Sequence, residues 1–276
     1  MNNVVVRSIS GVVFILAMLA CLMFNKFLFA GLIIFIMSVM LLEFYHITMG
    51  NNYTFSKVLA IIAAIFLFGL LFATASYHIP IRFVAFAMVP IFIVMINSLY
   101  VKDKDEYGKF SNIYTGLLYI AVPIALSNLI AFDKAGNFSG NLLLCFFIII
   151  WCSDVGAFAF GISLGKIFPQ KLFPSVSPKK TWIGFIGGLV SSVLAAFALY
   201  EFGILKFPLI HCLILSFIMS VTGVYGDLFE SQWKRVYGVK DSGKIIPGHG
   251  GFLDRFDSTL MAMPFGAIYL AIFDLL

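Results

Sequence analysis

Polar side chains recur at helical spacing in two stretches near the C-terminus. In "GDLFESQWKR" they fall at i, i+3, i+4 and i+7, on one face of a continuing helix: Asp227, Glu230, Ser231 and Lys234. In "LDRFDS" the spacing i, i+3, i+4 recurs at the start of a helix: Asp254, Asp257 and Ser258. Carboxylates brought together repel one another unless a cation lies between them. Oxygen ligands without His or Cys partners suit Mg²⁺ better than Zn²⁺, so the spacing predicts a magnesium site.

These acids have a structural alternative, in which they form salt bridges with Lys234, Arg235 and Arg255 in a solvated interface. For any single acid the two interpretations are equally open. For the whole set we favour a functional site, because ionisable residues near membrane spans are energetically expensive and tend to be functional.

Asp154 lies inside an apolar run, in the stretch "WCSDVGAFAFG". An unpaired carboxylate near the centre of a membrane helix costs ~2.5–3.5 kcal/mol on insertion scales. We therefore expect Asp154 to face a polar cavity, either as a third acidic wall or as the partner of a basic residue. A structural ion pair with a lysine remains open.

Glycines precede the predicted helix in "PGHGGFLDR", where Gly248, Gly250 and Gly251 leave backbone N–H groups uncovered. Such groups at a helix N-terminus form an anion site. Four lysines in the two long loops add positive charge: Lys179, Lys180, Lys240 and Lys244. Together with the acidic pairs, they predict a polyphosphate held with Mg²⁺. The P-loop spacing is absent, and His249 is open as a general base, a phosphate donor or a turn residue.

The chain carries no Ser-His-Asp constellation, CxxC pair or HExxH motif. This favours a reaction in which the substrate's own phosphate is the nucleophile, because a phosphate is already anionic near neutral pH. The protein then needs only to align that phosphate, neutralise charge and stabilise a leaving pyrophosphate.

The elements that must position these residues are membrane helices. Hydrophobic residues make up 62% of the 276 residues and charged residues only 11%, whereas soluble domains are about 45–50% apolar and about 25% charged. Apolar runs of about 17–23 residues, long enough to cross a bilayer, occur nine times. Their approximate centres are residues 15, 38, 67, 91, 122, 150, 192, 215 and 265. We therefore predict an all-α polytopic membrane protein with about nine transmembrane helices.

Basic residues are distributed unevenly between the loops of this nine-span arrangement. One side carries fourteen Lys and Arg residues, and the other carries Lys26, Arg82, Lys134 and Lys206. The positive-inside rule places the richer side, with the N-terminus, in the cytoplasm and the C-terminus on the opposite side. The net charge of +5 thus reflects orientation, and we expect no nucleic-acid partner.

Two regions are predicted. Residues 1–140 form N-terminal transmembrane helices with about five spans and plain loops. Residues 141–276 form a catalytic transmembrane region with two long cytoplasmic loops, 165–182 and 230–253.

The polar stretches resemble a known family. The runs Ser231 to Arg235, Lys240 to Gly243 and Pro247 to Asp257 resemble the signature of phosphatidate cytidylyltransferases, also called CDP-diacylglycerol synthases. "SDVGAFAFGISLGK" and "SVSPKKTWIGFIGG" resemble a second stretch of that family. The resemblance implies that phosphatidate and CTP react in phospholipid biosynthesis to give CDP-diacylglycerol and pyrophosphate. It also implies Mg²⁺, with a second cation open, and metal-assisted attack of the lipid phosphate on the CTP α-phosphate.

The resemblance assigns roles by position. It implies that Asp227 and Asp254 bind metal. The other expected catalytic residues are Lys234, Arg235, Lys240, Asp241, His249, Arg255 and Asp257. The expected substrate-binding residues are Asp154, Ser177, Lys179, Lys180, Thr181, Ser231, Lys244, Gly250 and Gly251.

The expected partners are CTP, phosphatidate and the lipid bilayer, and a homodimer is left open. We expect a multi-pass protein of the bacterial cytoplasmic (inner) membrane with its active site facing the cytoplasm.

The rival from another class is an ion-coupled transporter, in which Asp154 and Asp227 would carry cations. Crowding of charge at one membrane edge disfavours it. Among enzymes, a lipid-alcohol kinase or a CDP-alcohol phosphotransferase is the nearest alternative, and the "DG…AR…G…D" signature of the latter is absent.

Overall fold

The predicted apolar runs form helices in the computed structural model, which describes residues 3–100, 104–246, 248 and 250–276. Each of the nine predicted centres lies in a helical segment. The helices are α1 (Asn3–Phe24), α2 (Lys26–Met49), α3 (Thr54–Tyr77), α4 (Met88–Ser98), α5 (Lys104–Gly116), α6 (Val122–Ala131), α7 (Asn141–Leu164), α8 (Trp182–Glu201), α9 (Leu209–Val236) and α10 (Leu253–Ile272). A 3₁₀ turn (Ile81–Ala87) leads into α4, and a π-helical segment (Leu117–Ala121) joins α5 to α6.

Seven helical segments in the described part of the chain are long and apolar enough to cross a membrane. They are Lys26–Met49, Thr54–Tyr77, Ile81–Ser98, Tyr107–Ala131, Asn141–Leu164, Trp182–Glu201 and Leu209–Val236. The two remaining predicted runs lie in α1, which includes the shorter apolar helix Ser10–Phe24, and in α10. The all-α, polytopic class of the chain is thereby confirmed, while the orientation of its termini stays a prediction.

The chain divides into two compact units. The first unit comprises Met1–Ser139 and Asp241–Arg255, and the second comprises Gly140–Lys240 and Phe256–Leu276. The first unit is built on aromatic packing: the Phe29 ring lies 6.3 Å from that of Phe68 and 5.4 Å from that of Phe138. Buried Tyr45 donates a hydrogen bond to the Ile113 carbonyl at 3.0 Å, which joins α2 to α5.

The second unit is held together by small residues. A Cβ on Gly156 of α7 would lie 2.1 Å from Ser191 Oγ, and one on Gly188 of α8 would lie 3.0 Å from the Ser153 carbonyl. Small residues allow membrane helices to approach this closely. Hydroxyls add a polar contact, since Ser153 Oγ and Ser220 Oγ are 2.7 Å apart and join α7 to α9.

The two predicted loops contain more regular structure than expected. The 165–182 segment includes an antiparallel pair of strands, β1 (Lys171–Phe173) and β2 (Ser177–Thr181). The 230–253 segment begins inside α9, which continues to Val236. The predicted continuation of this helix through "GDLFESQWKR" is thus confirmed.

Candidate active site

Helices α9 and α10 approach each other closely at Gly226. A Cβ on this residue would lie 2.4 Å from the carbonyl oxygen of Asp257, a separation that real Cβ atoms do not adopt. One turn earlier, a Cβ on Gly223 would lie 3.6 Å from Ser258, which is ordinary van der Waals contact. Since Asp227 directly follows Gly226, the close approach brings Asp227 and Asp257 into the same region of the second unit.

Four carboxylates from three helices gather in this region. The Asp257 side chain lies close enough to three others for their negative charges to repel its own: Asp227, Glu230 and Asp154. Asp257 accepts a hydrogen bond from the Ser258 backbone N–H at 2.7 Å. The Ser258 hydroxyl donates to Asp154 Oδ1 at 3.4 Å, which connects α10 to α7. We call Asp154, Asp227, Glu230 and Asp257 the acidic cluster.

Lys180 and Lys234 contact the acidic cluster. Lys180 Nζ lies 2.6 Å from Asp227 Oδ2, with both side chains partly exposed. Lys234 Nζ lies 2.5 Å from Glu230 Oε2, where the carboxylate is only 2% exposed. The hydroxyl of Ser231 donates to Asp227 Oδ1 at 3.2 Å. Both oxygens of Asp227 therefore contact groups that the sequence predicted for the site.

Strand β2 positions Lys180. Thr181, the next residue, pairs with Lys171 of β1, and its hydroxyl accepts a hydrogen bond from the Gly184 N–H at 3.2 Å. This is an N-cap, which satisfies a backbone donor that the first turn of α8 leaves open. Thr181 is thus fixed from two sides. The other predicted residues of β2 are half-buried Ser177 and exposed Lys179.

Asp254 has different surroundings, in the first unit. Its Oδ2 accepts hydrogen bonds from the Ser242 N–H at 2.8 Å, the Ser242 hydroxyl at 2.9 Å and the Gly251 N–H at 2.8 Å. Both residues lie in the segment before α10, so Asp254 holds that segment against the helix start. Of the two predicted metal ligands, Asp254 thus belongs to the first unit and Asp227 to the second.

Glu43 of α2 is the second carboxylate of this network. It is 6% exposed. Its Oε2 accepts from the Leu253 N–H at 2.9 Å and from the Ser242 hydroxyl at 3.3 Å, and its Oε1 accepts from the Phe252 N–H at 3.1 Å. Glu43 therefore satisfies the open donors at the start of α10 from another helix, where a negative charge also complements the helix dipole.

At the predicted anion site before α10, backbone N–H groups bind carboxylates of the protein itself. The N–H of Gly251 binds Asp254, and those of the next two residues bind Glu43. The glycines make room for these carboxylates: a Cβ on Gly251 would lie 2.5 Å from Glu43 Oε2, and one on Gly250 would lie 2.6 Å from Asp254 Oδ2. Gly250 also has φ +87°, which side chains rarely adopt. The predicted role of these glycines in phosphate binding stays a prediction.

Five other predicted residues have exposed side chains. They are Arg235 and Lys240 of the second unit and Asp241, Lys244 and Arg255 of the first. His249 lies outside the described residues. The roles of these six residues stay predictions.

A magnesium ion fits the donor chemistry of the acidic cluster. Among the residues that the structure describes, no three His, Cys, Asp or Glu side chains form a ready-made metal site. The cluster nevertheless supplies hard oxygen donors only, and the mutual repulsion at Asp257 is of the kind that a cation relieves. A divalent ion held by Asp227 and its neighbours is compatible with this arrangement.

The sequence profile of the cytidylyltransferase family matches residues 5–273, nearly the whole chain. The chain belongs to the cytidylyltransferase family.

Similar proteins within this cytidylyltransferase family come from bacteria. A Bacillus subtilis protein named phosphatidate cytidylyltransferase is 41% identical over 182 residues, which cover 65% of this chain and 63% of the relative. Staphylococcus saprophyticus and Staphylococcus aureus proteins of the same name are 45% and 46% identical over 124 residues, or 45% of this chain and 46% of each relative. The matched stretches thus span less than two thirds of the length of these relatives.

Sequence reasoning missed two residues of the polar network around Asp254. Glu43 lies at the end of an apolar run, where a carboxylate costs free energy. This unusual position was the signal in the sequence that could have marked Glu43 as part of the site. Its partner Leu253 is 210 residues away, and no spacing rule connects residues at such a separation. Ser242, which contacts both Glu43 and Asp254, lies within the signature but has no residue type that marks it.

Proposed function

We propose that the protein is a phosphatidate cytidylyltransferase, which converts CTP and phosphatidate to CDP-diacylglycerol and pyrophosphate. The observation that carries this proposal is the acidic cluster with Lys180 ion-paired to Asp227, in a multi-pass chain of the cytidylyltransferase family. The similar bacterial proteins named phosphatidate cytidylyltransferase support the same lipid substrate.

The reaction needs no nucleophile from the protein. An oxygen of the phosphatidate phosphate forms a bond to the α-phosphorus of CTP, and the bond from that phosphorus to the bridging oxygen breaks. The electron pair leaves with pyrophosphate. The protein's contribution is to align two anions and to stabilise the charge that develops on the leaving group.

Lysines provide this charge stabilisation in the proposal. Lys180 is already held beside the acidic cluster by Asp227 and is accessible, so it can contact a phosphate oxygen while it stays near the carboxylate. Lys234 is held through Glu230. Arg235 and Lys240, exposed at the end of α9 and beyond it, add positive charge for a triphosphate.

Magnesium belongs to this proposal as a cofactor, with Asp227 as a ligand and Asp154, Glu230 and Asp257 as neighbouring donors. Bound Mg²⁺ would neutralise phosphate charge and act as a Lewis acid. Asp254 remains a predicted ligand, and a second cation and a homodimer also stay predictions. The carboxylates of the chain orient Lys180 and Lys234, as their ion pairs indicate.

We further propose that the reaction takes place at the cytoplasmic face of the bacterial inner membrane. The support is the charge partition: fourteen basic residues, including those of the 165–182 and 230–253 segments, fall on the side assigned to the cytoplasm. CTP is a cytoplasmic nucleotide, and phosphatidate is reached laterally from the same leaflet.

The proposal is tested with purified protein, phosphatidate and Mg²⁺, using CTP labelled either in the α- or in the γ-phosphate. A cytidylyltransferase transfers the α-label to the lipid, releases pyrophosphate in equal amount and never transfers the γ-label. Transfer of the γ-label would identify a lipid kinase instead. No lipid labelling by the wild-type protein from either nucleotide would overturn the assignment.

A matched pair of variants links this activity to the acidic cluster. Asp227→Asn removes the carboxylate that holds Lys180 and is expected to abolish labelling. Glu201→Gln changes an exposed carboxylate at the end of α8 and is expected to leave it unchanged. Normal turnover by Asp227→Asn would show that this carboxylate of the cluster is not needed for the reaction.

A further inference from the structure

An apolar cavity lies in the first unit, against the segment that carries part of the predicted site. Its volume is about 310 Å³, and its lining includes Val13 and Ala17 of α1, Leu32 and Phe35 of α2, and Ile246 and Phe252. Among the described lining residues, Ser10 alone has a polar side chain. Small-molecule cavities are about 300–1,000 Å³, so the space suits part of a slender apolar ligand.

Phe252 connects this cavity to the polar network. Its ring lies edge-on to Phe14 and Phe35, with ring centres 6.3 Å and 6.0 Å away. Its backbone N–H donates to Glu43, and the next residue towards the N-terminus, Gly251, donates to Asp254. The Phe252 side chain thus lines the apolar cavity, while the backbone at Phe252 and Gly251 is held by two carboxylates.

We propose that this cavity binds one acyl chain of the phosphatidate substrate. The inference rests on the proposed function. A ligand that occupies the cavity and reaches the adjoining segment must have an apolar tail and a polar head, as phosphatidate has. Lys244, directly before the two isoleucines 245 and 246 that line the cavity, offers an exposed cation on the same segment.

The first unit contains a second apolar cavity. It is of similar size, about 290 Å³, and is lined by Ile62, Phe66, Phe86, Val89, Pro90 and Ile93. None of these residues belongs to the signature or to the polar network. This second cavity is therefore as apolar as the first but has no polar segment beside it. It serves as the control cavity in the experiment below.

Chain-length dependence tests the proposal. Ala17→Trp fills the first cavity, and Val89→Trp fills the control cavity. Each buried methylene contributes about fourfold to binding, so Ala17→Trp is expected to raise the KM for dioleoyl phosphatidate at least tenfold. The KM for dioctanoyl phosphatidate should rise less, because its shorter chains lose fewer buried methylenes. The KM for CTP should stay near wild type, as the KM for all three substrates should in Val89→Trp. Equal effects of Ala17→Trp on both lipids would overturn the proposal.

Photo-crosslinking tests occupancy without turnover. Phosphatidate with a diazirine near the end of one acyl chain is expected to label residues of the first cavity, and unlabelled phosphatidate should compete. Phosphatidylcholine with the same chain is the control for bulk lipid, and equal labelling by it without competition would overturn the proposal. If competed labelling occurs while the wild-type protein forms no CDP-diacylglycerol, the proposed function fails and the cavity assignment stands.

Discussion

Lys180 and Asp227 form an ion pair with 2.6 Å between Nζ and Oδ2, which joins strand β2 to helix α9. The lysine side chain is 25% exposed and the aspartate side chain 32%, so water screens the attraction. Pairs of this kind contribute about 0–1 kcal/mol to stability. The pair is therefore better explained as a device that positions a cation than as one that stabilises the fold.

Lys180→Met is expected to lower kcat/KM for CTP at least tenfold, because the cation proposed to stabilise the leaving pyrophosphate is lost. The midpoint of thermal unfolding in detergent should hardly change, since a screened pair contributes at most about 1 kcal/mol. Lys171→Met, on the exposed strand β1, is the matched control and should keep wild-type kinetics. Full activity of Lys180→Met would show that the lysine has no part in catalysis.

Gly226→Ala is expected to damage the site through its geometry. The added Cβ would lie 2.4 Å from the Asp257 carbonyl, so α9 and α10 must separate, at a typical overpacking cost of about 1–3 kcal/mol. Thermal unfolding and turnover should both fall. Gly223→Ala, three residues earlier on the same helix, meets its nearest atoms at 3.6 Å and should be tolerated. Equal behaviour of the two variants would contradict the role of the close approach.

Asp257→Asn tests whether the acidic cluster holds a cation. Without Mg²⁺ the variant should be at least as stable as wild type, because the change removes a buried carboxylate that three neighbouring carboxylates repel. Wild-type protein should gain thermal stability with rising Mg²⁺, as any ligand specific for the folded state confers, and the variant should gain less. Glu201→Gln, which leaves the cluster intact, should respond as wild type does. A Mg²⁺-independent unfolding temperature in wild-type protein would argue against the cation.

Local patterns predicted the parts of the site that depend on local geometry. The i, i+3, i+4 spacing placed Asp227, Glu230 and Ser231 on one face because α9 is a continuous helix there. Hydrophobic runs located the helices because the length of a membrane span is fixed by the bilayer. By contrast, contacts across long sequence separations depend on packing, and no local rule predicts that Glu43 meets Leu253.

The glycines before α10 illustrate the same distinction. Their residue type indicated backbone N–H donors at a helix N-terminus that no side chain covers, which is a local property. Which anion would bind there depends on tertiary structure, and the structure supplies Glu43 and Asp254. A pattern of donors can therefore predict that an anion binds without predicting whether it belongs to the substrate or to the protein.

Glu43 is expected to be essential for the segment that leads into α10. Glu43→Ala leaves the N–H groups of Phe252 and Leu253 without their acceptors, and each unsatisfied buried donor costs about 1–3 kcal/mol. Glu43→Gln keeps one carbonyl acceptor but loses the charge that complements the helix dipole, an effect of about 0.3–1 kcal/mol. Thermal unfolding midpoints should therefore rank wild type above Glu43→Gln and Glu43→Gln above Glu43→Ala. Turnover should follow the same order, because Asp254 and Ser242 depend on the same segment. As the control, Glu201→Ala removes an exposed carboxylate elsewhere, and its unfolding midpoint and turnover should match those of wild type. A Glu43→Ala protein with wild-type stability and turnover would mean that the network contributes nothing to the site.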